Sequence, residues 1–485
     1  MKLFPGFRLG LACVLLLGAA GCGGSTDDST PTPSPAPPVP PQPAGPSQVA
    51  QWLTAPDKSA LFYKSTSPLN FQATSSQNPT IIVDTTQTYQ SIDGFGYTLT
   101  GSSAMLLKQM SATARAALLK ELFATDGASI GTSYLRVSIG ASDLDVGVFT
   151  YDDAAQPDPT LAQFSLAPDK VNLVPVLKEI LAINPSIKIL GSPWTAPRWM
   201  KTNNSYIGGA LKPEYYAAYA QYFVKYLQAM QAEGIRLDAI TLQNEPLHDG
   251  NNPSMLMSAL EQATFIRDHV GPALRAAGLT TKIITYDHNL DKPEYPLTIL
   301  RDPGASQYVD GSAFHLYAGD ITAMTSVRNA FPSKNVYFTE QWVGGPGDFA
   351  GDLKWHVSNL IIGATRNWSR NVLEWNLAAD PNYGPYTPGG CSTCLGALTI
   401  SGDNVTRNTA YYTVAHAAKF VRPGSVRIST NELGNLPNVA FKNPDGKKIL
   451  IVLNAGNATQ RFAIQYRGNV ATTSLDKGAV GTYVW

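Results

Sequence analysis

Two glutamates stand where apolar, strand-like runs end. Leu237–Gln243 is followed by Asn244-Glu245-Pro246, and Asn335–Thr339 is followed by Glu340. One carboxyl group can protonate a leaving oxygen while a second attacks the carbon it leaves, and cleavage of a glycosidic bond needs such a pair. The same chemistry needs groups that hold a neutral, polyhydroxylated substrate. Trp194 and Trp375 close two further runs and offer flat faces to the C–H side of a sugar ring. His315 and Tyr317 end another, and Arg136 and Asp143 lie on and just past one more. Each has an ordinary alternative: a loop carboxylate, a core indole, a satisfied structural histidine. Their shared placement at strand ends favours chemistry.

The elements that must position them alternate in kind. The strand-like runs are Ile92–Thr98, Tyr134–Ile139, Ile187–Pro193, Leu237–Gln243, Lys282–Asp287, Gly311–Leu316, Asn335–Thr339 and Asn371–Trp375. Between them lie amphipathic stretches, Ser103–Phe123, Val171–Ile183, Pro213–Glu233, Pro253–Ala277, Ile321–Phe331 and Leu353–Arg370, with Asn408–Phe420 after the eighth run. Repeated βα units of this kind predict an α/β fold, a (β/α)8 TIM barrel over residues 90–421, whose chemistry sits at the C-terminal ends of its strands. Glu245 then ends strand four and Glu340 strand seven, facing each other across the mouth. A doubly wound open sheet is the rival, but no glycine-rich nucleotide loop follows the first strand. Residues 422–485 lack a helical period. Ile449–Leu453, Arg461–Tyr466 and Gly481–Trp485 read as strands, with turns at Asn443-Pro-Asp-Gly446 and Asn454-Ala-Gly456. They predict a small β-sandwich that strands from residues 49–89 would join.

Composition narrows the partners. Lys+Arg and Asp+Glu are 36 each in 485 residues, so formal net charge is zero and nucleic acid is excluded as the main partner. Charged residues are only 15% and apolar ones 44%, enough for a large core. Lys2 and Arg8 precede an apolar run, Leu9–Ala20, and then Ala19-Ala20-Gly21-Cys22. Residues 1–21 read as a signal peptide and Cys22 as the acylated first residue of a lipoprotein, although Ala19 replaces the usual leucine. The alternative is an ordinary cleaved signal. Gly23 is not the acidic residue that often retains lipoproteins at the inner membrane, which favours the outer membrane or cell surface, with a periplasmic or secreted protein as the alternatives. Nine prolines between Pro31 and Pro46 make residues 22–48 a stiff linker. In the mature body Cys391-Ser-Thr-Cys394 holds the remaining cysteines; no second ligand pair supports zinc, and a preceding Pro-Gly-Gly argues against a redox helix, so a local disulfide is favoured. Gly127-Ala-Ser129-Ile-Gly131 matches the esterase elbow, but a helix precedes it and a strand follows, the reverse of what that elbow requires. Gly344-Gly-Pro-Gly347 lacks a phosphate-loop Lys and reads as a flexible rim loop.

Taken together, Ile92-Asp-Gly-Phe-Gly96, Arg136-Val-Ser-Ile-Gly140 with Ser142-Asp143, Ser192-Pro-Trp-Thr-Ala-Pro-Arg-Trp-Met-Lys201, Leu242-Gln-Asn-Glu-Pro246, Phe338-Thr-Glu340 and Trp375-Asn-Leu377 resemble glycoside hydrolase family 30, the glucosylceramidase-like family. The resemblance runs from about residue 69 to the end and leaves out the signal and linker. It implies a retaining hydrolase with a side sandwich built from both chain ends. It also implies that Glu245 is the acid/base and Glu340 the nucleophile, with Asn244 on the sugar 2-hydroxyl and Arg136 supporting Glu340. Asp143, Trp194 and Trp375 would line the subsite of the cleaved sugar, with His315 and Tyr317 near the nucleophile. No metal or organic cofactor is required, and the partner is a polysaccharide or glycoside met by a monomer, with a membrane reached only through the lipid. Leu99-Thr-Gly-Ser-Ser-Ala104, where mammalian glucosylceramidases carry an Asp at the position of Gly101, looks more like the β-1,6-glucanase branch. The expected activity is therefore endo-β-1,6-glucanase; glucosylceramide, another β-glucoside, xylan, β-1,6-galactan or a non-catalytic glycan-binding lipoprotein are the alternatives.

Overall fold

A computed structural model describes residues 48–485; the signal peptide, Cys22 and all of the linker but Gln48 lie outside the described residues. Eight parallel strands close into a barrel: Gly94–Thr98, Tyr134–Ser138, Lys188–Ser192, Ala239–Thr241, Lys282–Asn289, Val309–His315, Asn335–Glu340 and Ser369–Asn376, numbered one to eight below. Every run read as a barrel strand is one, because a strand buried on both faces is apolar almost throughout. Helix limits move for local reasons. Ser103–Phe123 divides into Gly101–Gln109 and Ala112–Phe123, since the Ser111 hydroxyl accepts the Ala114 N–H and caps a second helix. Pro253–Ala277 becomes helical only at Ala259, where Ser258 and Glu261 form a capping box. Helices Glu294–Arg301 and Pro303–Ser306, and a three-stranded sheet of Ala378–Ala379, Leu398–Ser401 and Asn404–Arg407, are additions that periodicity does not reveal.

Side chains fill the barrel in layers. Tyr134, Leu190, Ala239, Ile284, Ala313, Tyr337 and Leu373, from strands two to eight, form one buried cluster. Strand one turns Phe95 and Tyr97 outward, toward Phe441 and the carbonyl of Ala410, leaving glycines inward. A Cβ on Gly96 would lie 1.8 Å from the Tyr134 carbonyl oxygen. One step up each strand comes the polar layer that makes the site.

Ten strands from both ends of the described chain form the second sheet. Val480–Val484 pairs with Gln48–Thr54 on one side and Lys448–Leu453 on the other. The twelve-residue strand Thr80–Ser91 is parallel to Gln460–Tyr466 and antiparallel to Val426–Thr430. The sheet wraps until Gln72 bridges Val470, enclosing Val49, Ile81, Leu450, Val452, Phe462, Ile464 and Tyr483 as a core of its own. Thr80–Ser91 enters barrel strand one after Ile92 and Asp93 alone, so the two parts meet over a very short connection. Among the described residues no helix is long and apolar enough to cross a membrane.

Gly101 opens the helix after strand one, and a Cβ there would lie 1.6 Å from Oδ1 of buried Asp145. Overpacking of this kind costs about 1–3 kcal/mol. Gly101→Ala is therefore expected to lower the thermal midpoint, and Gly101→Asp to lower it further by setting a second carboxyl against Asp145. Unchanged melting of both variants would show that the loop around Asp145 yields freely.

Candidate active site

The site is built on Arg136, which strand two turns inward one step above Tyr134. Its guanidinium has no exposed surface. Nη1 donates to Glu340 Oε2, Nη2 to Asn244 Oδ1 (2.7 Å) and Asp287 Oδ2 (2.8 Å), and Nε to Ser192 Oγ (3.1 Å). The guanidinium carbon lies 4.8 Å from the Trp194 ring and 5.8 Å from the Trp375 ring. One rigid, permanently charged fork thus orients a glutamate and an asparagine at once.

Asp287 is the group that sequence reasoning missed. Its Oδ2 accepts from Arg136 and Thr241 Oγ1, and its Oδ1 from Thr339 Oγ1 and His315 Nε2. Burial works against its charge, but Arg136, followed by His315 and Thr339, holds the carboxyl far below the usual range. Regular alternation in strand five would put Tyr286 inward and Asp287 outward. Both residues instead have left-handed backbones (φ 74° and 68°), and the register slips against strand six. The bulge sends Tyr286 to the outer helices beside Tyr295 and Asp287 into the barrel.

His315 lies between two carboxylates, Nε2 3.1 Å from Asp287 Oδ1 and Nδ1 3.1 Å from Glu245 Oε1. Burial alone would depress its pKa; the charges and hydrogen bonds of Glu340, Asp287 and Glu245 reverse that and raise it to about 9. His315 is therefore an imidazolium near neutrality and donates to both. Tyr317 donates its hydroxyl to Glu340 Oε1 (3.0 Å). His288, also unremarked in the sequence, places Nε2 3.9 Å from Glu245 Oε1, and burial pushes its pKa down to about 4.

Strand four stops at Thr241, so Glu245 sits in the loop beyond it rather than on the strand end. It has φ 47°, a strained value for a non-glycine residue, and its N–H is held by the Asp287 carbonyl (3.0 Å). Nor do strands four and seven stand opposite each other: strands five and six alone separate them in the closed order. Glu245 and Glu340 converge on one side of the mouth. An oxygen of each, with a ring nitrogen of His315, lie within 4.8 Å of one another. That proximity suits direct attack by one carboxylate, for which about 5–5.5 Å is typical, and leaves no room for the water that an inverting pair, about 6.5–9.5 Å apart, must hold. Burial, with the charges of Glu245 and Asp287, raises the Glu340 carboxyl despite His315 and Arg136, whereas on Glu245 the hydrogen bond and charge of His315 outweigh burial and lower it; the two glutamates titrate as a coupled pair.

The remaining expected residues are also here, with two corrections. Trp194 and Trp375 are only 1% and 4% exposed, with ring centroids 5.4 Å apart. They are a buried floor under Arg136 more than an open stacking platform. The Gly344–Gly347 segment is not a free rim loop, because Val343-Gly344 pairs with Cys394-Leu395. Cys391 and Cys394 are disulfide-bonded, and the Cys391 N–H donates to Asp143 Oδ2 (3.2 Å). Burial, reinforced by Glu340, raises the Asp143 carboxyl to about 7. Ser129 lies between helix and strand, its carbonyl accepting from Lys419, in no elbow.

Comparison with known proteins places this constellation. The glycosyl hydrolase family 30 TIM-barrel domain matches residues 92–421, and that family's beta-sandwich domain matches 424–483. An endo-1,6-beta-D-glucanase of Trichoderma harzianum is 36% identical over 426 residues, 81% of this chain and 85% of that protein. The lysosomal acid glucosylceramidase of Mus musculus is 29% identical over 427 residues, 82% of this chain and 81% of that protein. A solved endo-beta1,6-glucanase structure superposes with a TM-score of 0.85 at 36% identity, covering 90% of this chain and 99% of the other. The chain belongs to glycoside hydrolase family 30 and is a retaining hydrolase of O-glycosyl bonds.

Proposed function

We propose that the protein is an endo-β-1,6-glucanase in which Glu340 is the nucleophile and Glu245 the acid/base. The observation that carries the role assignment is the asymmetry around the pair. Glu340 receives the Arg136 guanidinium and the Tyr317 hydroxyl, two donors that favour a carboxylate poised to attack. Arg136 and His315 supply two buried cations among the carboxyl groups of Asp287, Glu340 and Glu245, so the site balances when the glutamate pair shares one proton, and Glu245 is the member that carries it into the attack. Glu245 protonates the departing oxygen as Glu340 bonds to the anomeric carbon, and afterwards takes a proton from the water that releases the sugar. Asn244, locked by Arg136, presents its side-chain nitrogen to the sugar 2-hydroxyl. The linkage rests on the relatives named as endo-1,6-β-glucanases, 36% identical over 81% of the chain.

Incubation with a β-1,6-glucan tests this. A ladder of oligosaccharides that shortens to glucose only late supports endo cleavage. Glucose or disaccharide from the start would replace endo with exo action, and no release would remove the linkage, making glucosylceramide and xylan the next substrates.

kcat/KM falls on the acid side as Glu340 takes up a proton, and on the alkaline side as Glu245 loses its own, giving a bell. For a dinitrophenyl glycoside, whose leaving group needs no proton, the Glu245→Gln enzyme is expected to lose the alkaline limb in the glycosylation step. A limb that persists there would belong to Asp143, whose carboxyl titrates at about 7.

Residues 1–22 support export and acylation of Cys22, with the proline-rich segment as tether. Mass spectrometry of detergent-extracted protein reads the added lipid directly.

A further inference from the structure

Between strand eight and the last helix the chain runs out over the mouth and closes a small ring, Cys391–Cys394. Around that ring several contacts converge. The Cys391 N–H donates to Asp143 Oδ2 (3.2 Å), the Thr387 N–H donates to the Asp143 carbonyl (2.9 Å), and the Thr387 hydroxyl donates to the Asn252 carbonyl (2.5 Å). Gly390 lies so near that a Cβ would come within 2.5 Å of the Asp143 carbonyl oxygen. Cys394 is 3% exposed and packs with Leu144, Trp194 and Trp375. Cys394 and Leu395 pair with Gly344 and Val343, just past Glu340, and the Thr393 carbonyl accepts the Gly345 N–H (2.7 Å). The ring therefore touches the loop after strand two, the loop after strand seven and the floor supplied by strands three and eight.

Global stability does not account for this placement. A cross-link stabilises a fold according to the loop it closes, and here the sequence separation is 3, close to the smallest possible. Its effect is local. Without it, Gly389-Gly390-Cys391-Ser392-Thr393-Cys394 would be a glycine-led segment with many conformations, and the Cys391 N–H would wander from Asp143.

We infer that the Cys391–Cys394 disulfide is a positioning element of the active site: it fixes the Asp143 carboxyl through the Cys391 N–H and the Trp194–Trp375 floor through Cys394. With Trp194 and Trp375, Asp143 is assigned by the family resemblance to the subsite of the cleaved sugar, and the inference rests on that assignment. The cystine touches no substrate and acts through its neighbours.

The test is a mutant cycle in the full chain: Cys391→Ala with Cys394→Ala, Asp143→Ala, and all three together. The readout is the second-order rate at which 2,4-dinitrophenyl 2-deoxy-2-fluoro-β-glucoside labels Glu340, beside KM and kcat on β-1,6-glucan and the thermal midpoint. Loss of the ring is expected to slow labelling about 10- to 100-fold, as a displaced positioning group does, with little change in melting. KM and kcat both worsen. Asp143→Ala also slows labelling, and removing the ring from that variant adds much less than it does in the wild type. A ring-less enzyme that labels at the wild-type rate overturns the inference. So do losses that multiply in the triple variant, and a loss matched by the fraction unfolded. A wild type that labels yet leaves the glucan intact refutes the linkage alone, and the cycle still decides the role of the ring. A wild type that does not label refutes the two-carboxylate reading and the inference with it.

Discussion

Glu340→Gly is expected to reduce hydrolysis of the natural substrate on the order of 10⁴- to 10⁶-fold, the range seen when the nucleophile of a covalent enzyme is removed. The protein should remain folded, because Glu340 lies at the open end of its strand and Arg136 keeps Asp287 and Asn244 as partners. Azide separates the two glutamates. In Glu340→Gly it enters the vacated face and, with an activated β-glycosyl fluoride or aryl glycoside, yields the α-glycosyl azide. In Glu245→Ala the covalent intermediate still forms, and azide attacks it to yield the β-product. The same anomer from both variants, or wild-type turnover by either, would sink the assignment of roles.

Asp287→Ala should be the most damaging substitution that touches neither glutamate. It leaves Arg136 Nη2 with Asn244 alone and strips acceptors from Thr241, Thr339 and His315. Breaking a fully buried ion pair by deleting one partner costs about 3–5 kcal/mol. A clear fall in thermal midpoint is expected, together with roughly 100-fold lower kcat/KM as the groups holding Glu340 and Glu245 lose their anchor. The pH dependence has a definite sign. The folded-state pKa of Asp287 is depressed, so its contribution is fully present above the unfolded value near 4 and is lost as pH falls through the folded value. The gap between wild type and Asp287→Ala should be widest at neutral pH and shrink below about pH 4. A gap that stays constant into acid would mean that packing, not charge, is what Asp287 supplies.

Much of this architecture is legible in the sequence, and the illegible parts have particular causes. The barrel strands stand out because both their faces are buried. Glu245 and Glu340 stand out because a carboxylate that ends an apolar run is unusual. Asp287 stays hidden because a bulge at Tyr286–Asp287 reverses the alternation on which reading inward and outward faces depends. Glu245 is placed one loop too early because strand four is three residues long and the backbone at Glu245 itself is left-handed. The facing geometry expected for strands four and seven fails because the expectation counts strands rather than following the closed order, in which three steps of eight fall short of a diameter. The tryptophans are visible as aromatics at strand ends, but only packing shows that Arg136 lies against them. In the second sheet, strands from residues 49–89 are expected and Gln48–Thr54 is one, but Val426–Thr430, Asn438–Lys442 and Asn469–Leu475 escape notice because long-range pairing, not local pattern, makes them strands.

That long-range pairing governs the order in which the molecule can be completed. Val480–Val484 is the piece that joins Gln48–Thr54 to Lys448–Leu453. A chain emerging from its amino end, at a ribosome or a translocation pore, exposes an edge strand for the entire time that the barrel is being delivered. The contacts of highest sequence separation close last, at the greatest loop entropy, so slow maturation and a demand for protection of that edge are built into the topology. Removing the final strand would leave the catalytic groups chemically intact while opening two β edges to pairing with other chains, so such a truncation would be felt first as aggregation during biogenesis.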